Sequence, residues 1–566
     1  MYKRAQKVRL AIACLSYLII LLIILFHLFN IQVLNNHNYI KLADSQHHLT
    51  LKLDPQRGLI YDRNHKVLAL SLKVPSVYAV PRVIVNKEEV AVKLSSVLGL
   101  DYDNLLEKLN RDKSFIWIKR RVTDQEADNI KNLKLFGVEI IKESKRYYPN
   151  KELAAHILGF AGIDEAGLDG VELKYNSYLK GEPGKRSLLR DAKQRMLPAF
   201  EYEYIPPVNG YNLVLTIDEV IQHIVEDVLE RSLKKNNALS ASAVVMNPKN
   251  GEIYALASRP SYDLNDFANA TNASRRNRTI SDYFEPGSTF KIITASAALD
   301  ENIVNTDDVF FCENGAYRIA GHTLHDHKPH GNLTFVEVIE KSSNIGTVKI
   351  AQKMGPKILN KYVKKFGFGQ ITGIDLPGET QGFLRPIEEW SKLSIGAIPI
   401  GHEIGVSTLQ MARAMSAVVN GGYMVNPYIV SEVIDNNNEI IKSFKNDKQQ
   451  SVISEKTSAT MREILKGVVE DGTGRGAKIE DYEAGGKTGT AQKIDSSGNY
   501  SHDKFIASFI GFTPVEDPQF VIGVVFDEPR PFYYGGLVSA PVFKEIAEKI
   551  LKYTNVPKTK KQNTDN

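Results

Sequence analysis

Few of the features that announce a special class of protein are present in this sequence. It holds two cysteines in 566 residues. Cys14 lies inside an apolar run and Cys312 far beyond it, so the two are not expected to pair, and a disulfide-stapled scaffold is excluded. An excess of either charge is missing too. Lys and Arg number 71 against 66 Asp and Glu, a net charge of +5. A chain so balanced is not a dedicated nucleic-acid binder. Long apolar runs are absent but for one, and a mean hydropathy of −0.23 excludes a polytopic membrane protein. With 43% hydrophobic and 24% charged residues, wholesale disorder is excluded as well. At about 150 residues per domain, the length implies about three or four globular units.

The one long apolar run is Leu10 to Phe29, LAIACLSYLIILLIILFHLF, without a formal charge. A helix of that length spans about 30 Å, one bilayer core. Lys3, Arg4, Lys7 and Arg9 precede it with no acid among them. The positive-inside rule then predicts a cytoplasmic segment 1–9, a transmembrane helix 10–29 and an external remainder. A cleaved signal peptide would have a shorter apolar region followed by a small-x-small site, where this chain has Asn30-Ile31-Gln32-Val33-Leu34. Apart from the four leading cations the net charge is +1, which gives no charge-based case for a polyanion partner.

The external part reads as two regions. Residues 30–205 are mixed and charged, with a predicted hairpin where Arg57-Gly58-Leu59-Ile60-Tyr61 and Val67-Leu68-Ala69-Leu70 flank an Asp-Arg-Asn-His turn. Tyr204-Ile205-Pro206-Pro207-Val208-Asn209-Gly210 reads as a linker, because Pro-Pro resists both helix and central strand. A second unit, 206–554, opens on Leu213–Asp218. It has two early strands, Ser242–Met246 and Glu252–Ala257, then a long helical middle. Three late strands follow around Gly485–Lys493, Phe505–Phe512 and Phe520–Phe526, joined by turns at Ser496–Asn499 and Glu516–Pro518. One mostly antiparallel sheet covered by helices is expected, an α+β fold. The polar segment 555–566 is expected to be disordered.

Three short motifs carry the chemistry. Pro286-Gly287-Ser288-Thr289-Phe290-Lys291 leads into an Ala-rich apolar helix. A serine hydroxyl needs a base, and a lysine one turn away can serve if burial or nearby positive charge lowers its pKa. Alone, S-x-x-K is weak, since about two are expected by chance in such a chain and an N-cap beside a surface lysine would look the same. In Ser342-Ser343-Asn344, the first hydroxyl can relay a proton and the amide can hold a lysine or a carbonyl, although Ser-x-Asn is also a common cap. In Lys487-Thr488-Gly489-Thr490, a cation and hydroxyls suit a carboxylate, and the glycine permits close approach. A phosphate loop would need glycine where Asp481 stands. Gly472-Thr473-Gly474-Arg475-Gly476 follows no strand and is not a dinucleotide motif.

In this order, S-x-x-K, S-S-N and K-T-G resemble the motif set of penicillin-binding proteins and class A β-lactamases. Arg57–Arg63, Ala257–Asn265, Glu285–Ser288, Lys341–Asn344 and Gly535–Phe543 all resemble class B penicillin-binding proteins. The second motif and the C-terminal strings resemble the cell-division type, FtsI-like. The resemblance implies a penicillin-binding/serine β-lactamase-like transpeptidase domain behind a non-catalytic pedestal or dimerisation module. It implies a peptidoglycan D,D-transpeptidase that cross-links stem peptides and is acylated by β-lactams. Ser288 would be the nucleophile and Lys291 its base. Ser342 would return the proton to the leaving amine, with Asn344 beside it. Lys487, Thr488, Gly489 and Thr490 would hold the terminal carboxylate, and the backbone N–H groups of Ser288 and Thr490 would form an oxyanion hole. No cofactor or metal is implied. The implied partners are D-Ala-D-Ala stem peptides, an FtsW-like glycan polymerase and other division proteins, at a bacterial inner membrane.

Two departures from the family stand out: His65 where a turn glycine is usual, and Gly401-His402-Glu403 where Gly-aromatic-Gly is usual. Cys312, His322, His325, Asp326, His327 and His330 are dense enough to suggest zinc, but their spacing fits no closed tetrahedral pattern. Arg275, Arg276 and Arg278 suit either an anionic substrate or a solvated loop, and Trp117 and Trp390 suit packing. The competing functions are a D,D-carboxypeptidase or β-lactamase on the same fold, an elongation-type enzyme, and a β-lactam sensor. An anchor and a large front module disfavour the β-lactamase, and a short cytoplasmic segment disfavours the sensor. No glycosyltransferase motif is found.

Overall fold

Side chains that alternate between two apolar faces build the central sheet. In strand Ser240–Met246 every residue is buried. Ala243 and Val245 face one core, and Val244 and Met246 the other. Such a strand needs cover on both sides. In the computed structural model the described residues are 2–40, 48–190, 196–444, 450–494 and 499–560. They divide into two compact units, residues 1–56 with 181–210, and residues 57–180 with 211–566.

The first unit holds helix Tyr2–Phe29, continued by a π-turn Asn30–Leu34. It is long and apolar enough to cross a membrane. The helix starts before the apolar run because Lys, Arg, Ala and Gln ahead of it are good helix formers. An antiparallel sheet in the order His48–Leu53, Gly184–Arg190, Met196–Ile205 completes the unit. The predicted linker thus begins at the end of a strand, and Val208 bridges back to Glu182.

In the second unit, the five-stranded sheet runs Ile253–Arg259, Ser240–Met246, Phe520–Asp527, Tyr500–Thr513, Gly485–Ile494, antiparallel throughout. Two early and three late strands are therefore joined in one sheet, as the hydrophobic pattern predicts. The turn expected at Ser496–Asn499 falls mostly on 495–498, outside the described residues. Helices Glu219–Lys235 and Gly535–Tyr553 cover one face through Val225, Leu229, Phe543 and Ile546. Helices Lys291–Asp300, Thr408–Val419 and Glu455–Glu470 cover the other through Ile292, Leu409, Met415 and Leu465. Strand Gly485–Ile494 is left at an edge.

The predicted hairpin exists: Ile60–Tyr61 pairs antiparallel with Val67–Ala79. Asp62 ties the turn by accepting from the backbone N–H groups of Asn64 and Lys66, both at 2.8 Å. His65 takes the left-handed conformation, φ 59°, that a glycine would occupy more easily. Ile60–Tyr61 also pairs in parallel with Asn212–Leu215, which extends to Val430–Ile434 and Ile440–Ser443. One seven-stranded mixed sheet therefore includes strands from both sequence regions. Beside it, Glu172 is buried between two guanidinium groups. Arg57 Nε donates at 2.7 Å and Arg146 Nε at 2.6 Å.

The segment from Asn555, expected to be disordered, is ordered as far as Lys560. Tyr482 donates to the Val556 carbonyl at 2.8 Å, and Thr559 Oγ1 accepts from Glu483 N at 2.8 Å. These backbone partners compensate for its polar composition. Residues 561–566 lie outside the described ones.

Candidate active site

The first motif is a helix entry. Gly287–Phe290 forms a 3-10 turn that runs directly into helix Lys291–Asp300. Residues i and i+3 eclipse in a 3-10 turn, which sets Lys291 in line with Ser288. The helix is buried around its whole first turn, Lys291 and Thr294 included with Ile292 and Ile293, so it sits inside the domain. That placement takes Lys291 with it: its side chain is fully buried while Ser288 stays half-buried. Gly401, at φ 83°, lies so close to the turn that a Cβ there would stand 2.2 Å from the Gly287 carbonyl oxygen. This is why the Gly401-His402-Glu403 departure keeps its glycine. The other two residues meet Glu285, whose Oε2 is 2.7 Å from His402 Nδ1 and whose Oε1 accepts from Glu403 N at 2.9 Å.

The second motif lies at the reversal between two helices. A capping box of Thr334 and Glu337 starts helix Phe335–Glu340. Ser342 then takes a left-handed φ of 59°, and Ser343 caps helix Asn344–Met354 through Gly346 N. The reversal aims Ser342 and Asn344 at Lys291. Its Nζ donates to the Ser342 carbonyl at 2.7 Å, to Ser342 Oγ at 3.3 Å and to Asn344 Oδ1 at 2.7 Å.

The third motif is on the edge strand. Lys487 is fully buried, and its Nζ donates to Ser342 Oγ at 2.8 Å. One hydroxyl therefore joins two lysines from distant parts of the chain. Thr488 Oγ1 lies 2.9 Å from Thr473 Oγ1, and Thr490 Oγ1 accepts from Gly535 N at 3.0 Å. A Cβ on Gly489 would stand 2.7 Å from the Pro286 carbonyl and 2.4 Å from Ser508 Oγ, so only glycine lets the strand press against the nucleophile turn. The eight residues singled out, Ser288, Lys291, Ser342, Asn344 and 487–490, thus converge on one place.

Burial sets the electrostatics. Removed from water, Lys291 is pushed down to about 7, although the charge of Asp326 and the Cys312 thiol act the other way. Burial, and then the charge of Lys291, hold Lys487 well below the ordinary lysine range. An ammonium at Lys291 fills all three of its acceptors, and loss of one proton near neutral pH gives it a lone pair. That is the property a base for a serine hydroxyl needs.

The other flagged residues do different things. Asp326 and Cys312 lie behind the second motif: Ser343 Oγ donates to Asp326 Oδ2 at 2.6 Å, and Cys312 Sγ lies 3.4 Å from the same hydroxyl. The His325 carbonyl accepts from Asn344 Nδ2 at 2.9 Å, and the His327 ring packs against Tyr534. Among the described residues no three His, Cys, Asp or Glu side chains are placed to hold a metal. Arg276 and Arg278 both pair with Asp282, and Arg275 donates to Asn272. Trp117 packs edge-on against Phe115, and Trp390 Nε1 donates to the Arg385 carbonyl. Sequence reading sees Thr473 only as part of a loop before the third motif, and it does not foresee the contacts of Thr473 with Thr488 or of Glu285 with residues 402 and 403. It grouped Asp326 with histidines by proximity, whereas its partners are 17 to 19 residues further on.

This fold and this cluster match known proteins. Residues 241–548 match the family described as the penicillin binding protein transpeptidase domain, and residues 52–215 the penicillin-binding protein dimerisation domain. The chain belongs to the class B penicillin-binding proteins. It is 38% identical to stage V sporulation protein D of Bacillus subtilis, over 98% of this chain and 87% of that one. To the peptidoglycan D,D-transpeptidase FtsI of Escherichia coli it is 32% identical, over 97% and 92%. Among solved structures, a peptidoglycan synthetase from Bifidobacterium adolescentis superposes with a TM-score of 0.74 at 27% identity, covering 91% of this chain and 98% of that one. Penicillin binding protein 3 from Mycobacterium tuberculosis, complexed with aztreonam, gives a TM-score of 0.71 at 28% identity, covering 90% and 98%.

Proposed function

We propose that this protein is a peptidoglycan D,D-transpeptidase of the cell-division type, acting through a Ser288 acyl-enzyme and blocked by β-lactams. The observation that carries the reading is the bridge from Lys291 through Ser342 to Lys487, set directly behind the Ser288 turn. In the first step, neutral Lys291 takes the Ser288 hydroxyl proton as Oγ bonds to the penultimate D-Ala carbonyl carbon. The tetrahedral oxyanion is met by the backbone N–H groups of Ser288 and Thr490. When the C–N bond breaks, the terminal D-Ala amine receives a proton through Ser342, and the ester remains on Ser288. An amine of a second stem peptide then attacks the ester, gives up a proton and releases Ser288 with a new amide bond. Asn344 orients Lys291. Lys487, Thr488 and Thr490 hold the donor's terminal carboxylate, with Gly489 letting their strand lie against the Ser288 turn.

Around that site we place a cytoplasmic segment 1–9, an anchor 10–29 in the bacterial inner membrane, a non-catalytic module 30–205, and a transpeptidase region 206–554 outside the cytoplasm. The four leading cations support that orientation. With no polymerase motif of its own, the protein works beside a membrane glycan polymerase of the FtsW kind and other division proteins. A fluorescent penicillin is expected to label the protein covalently and to lose all labelling in Ser288→Ala. Undiminished labelling of that variant overturns the nucleophile. A donor–acceptor assay that yields released D-Ala without cross-link would instead make the protein a carboxypeptidase.

A further inference from the structure

We propose that Asp326 is a positioning residue for acyl transfer: its carboxylate anchors the start of helix Asn344–Met354 and so holds Ser342 and Asn344 at the amine of Lys291. This rests on the roles given above to Ser288, Lys291 and Ser342.

The carboxylate makes three bonds to consecutive residues of the second motif. Oδ1 accepts from Asn344 N at 2.5 Å and from Ile345 N at 3.0 Å, while Oδ2 accepts from Ser343 Oγ at 2.6 Å. An anion at this end of an eleven-residue helix is favoured by the exposed N–H groups and the helix dipole. The same Ser343 hydroxyl oxygen accepts from Gly346 N at 2.9 Å, so the first helical turn is tied from outside and inside together. Asp326 is itself held, its N–H donating to the Gly315 carbonyl at 3.2 Å. The residue before it, His325, accepts from Asn344 Nδ2 and thereby turns Asn344 Oδ1 toward Lys291. What needs anchoring is Ser342. A serine in the left-handed region persists only where its surroundings over-determine it. Here the surroundings are Lys291 and Lys487 on one side and the clamped peptide units of residues 343–345 on the other.

Asp326 has a second consequence through its charge. Facing Lys291 are Lys487 from the edge strand, Cys312 from the loop after strand Val309–Phe311, and Asp326 from the loop after strand His322–His325. Asp326 is the acid of this group, and it favours the protonated form of Lys291. Removing its charge should let Lys291 deprotonate at lower pH, even as removing its hydrogen bonds loosens the geometry.

The test measures acylation of the full-length protein in detergent by a fluorescent penicillin as a function of pH. Asp326→Asn, Asp326→Glu and Ser288→Ala are compared, with active-site titration and a melting curve for each. The expected result for Asp326→Asn is a plateau lower by about 10- to 100-fold, the scale on which small misplacements of catalytic groups act. Its acid limb should move to lower pH, and Asp326→Glu should recover part of the rate. A purely structural role would lower the titratable fraction and leave the limb where it was. Asp326→Asn acylating at the wild-type rate with an unmoved limb overturns the proposal. So does a loss accounted for by the titratable fraction alone. If Ser288→Ala is still labelled, the underlying site assignment falls first, and this inference falls with it.

Discussion

Two clusters of buried cations lie in the same compact unit and behave in opposite ways. In one, Arg57 and Arg146 enclose Glu172, with side-chain exposures of 1% for each arginine against 0% for the acid. Arg57 also donates to the carbonyls of Glu165 and Glu172 and to Asn176, and Arg146 to the carbonyl of Gly58. Burial works against ionisation of Glu172, but the two guanidinium groups outweigh it and keep the carboxyl below its usual range. In the other cluster, Lys291 and Lys487 are equally buried, yet among the described residues no carboxylate touches either; their partners are hydroxyl, amide and carbonyl oxygens. Charge compensated at contact distance holds structure together. Charge buried without it is labile, and a labile proton is what acyl transfer requires.

The contrast can be broken from either side. The largest effect is expected in the lysine cluster. Lys291→Met keeps the side-chain length but removes the proposed base, and penicillin acylation should fall by about 10³-fold, within the range for loss of a general base. The melting temperature should not fall with it, because a buried cation without a counter-ion is replaced by an apolar chain. A marked drop in melting temperature would mean that Lys291 is structural in the way Arg57 is. The reverse outcome is expected for Glu172→Gln. It leaves two guanidinium groups buried without their anion and should cost about 3 kcal/mol or more of stability, read by denaturant or thermal unfolding. The molecules that remain folded should acylate at the normal rate. A selective loss of acylation rate would show that the two clusters are coupled.

A smaller effect separates them by pH. Acylation should rise as pH passes through about 7, where Lys291 loses its proton. The sign for stability follows from the same depression. The cost of burying the Lys291 charge is present in full below about 7 and is relieved as pH rises toward the ordinary lysine value of about 10.4. Glu172 works in another window. Its contribution is present above the ordinary glutamate value of about 4.3 and is lost as pH falls through its lower folded value. Acylation that is flat between pH 6 and 8 would contradict the lysine half of the contrast; the two pH values are about one unit either side of the midpoint.

The two clusters were also unequally visible in the sequence. Ser288, Lys291, Ser342, Asn344 and Lys487–Thr490 fall in three short strings, each with a local chemical logic and a fixed order, and they were found where the structure brings them together. The five strands of the main sheet were visible because apolar runs of that length, bounded by turn residues, have few other uses. The arginine cluster was visible only as part of the Arg57–Arg63 string. Its other members, Arg146 and Glu172, stand alone in featureless stretches, 88 and 115 residues from their partners in the first string. Asp326 was noticed for the wrong neighbours. A carboxylate that caps a helix 18 residues later leaves no periodic signal, because the intervening loop, not local spacing, sets the distance.

Some properties follow from local sequence alone: a membrane-length apolar helix with cations ahead of it, an α+β sheet assembled from the two ends of a long insertion, and the three short motifs. These depend on side-chain polarity, periodicity and turn chemistry within a dozen residues. Other properties required the folded chain. Ile60–Tyr61 was matched in parallel to Asn212–Leu215 across about 150 residues, drawing residues 57–180 into one body with 211–560. Burial brought Lys291 down to about 7. Ser342 was set between two lysines that lie 51 residues before it and 145 after it. The reason is common to all three. Pairing register, desolvation and the meeting of like charges depend on what lies across the core, and no stretch of sequence contains its own surroundings.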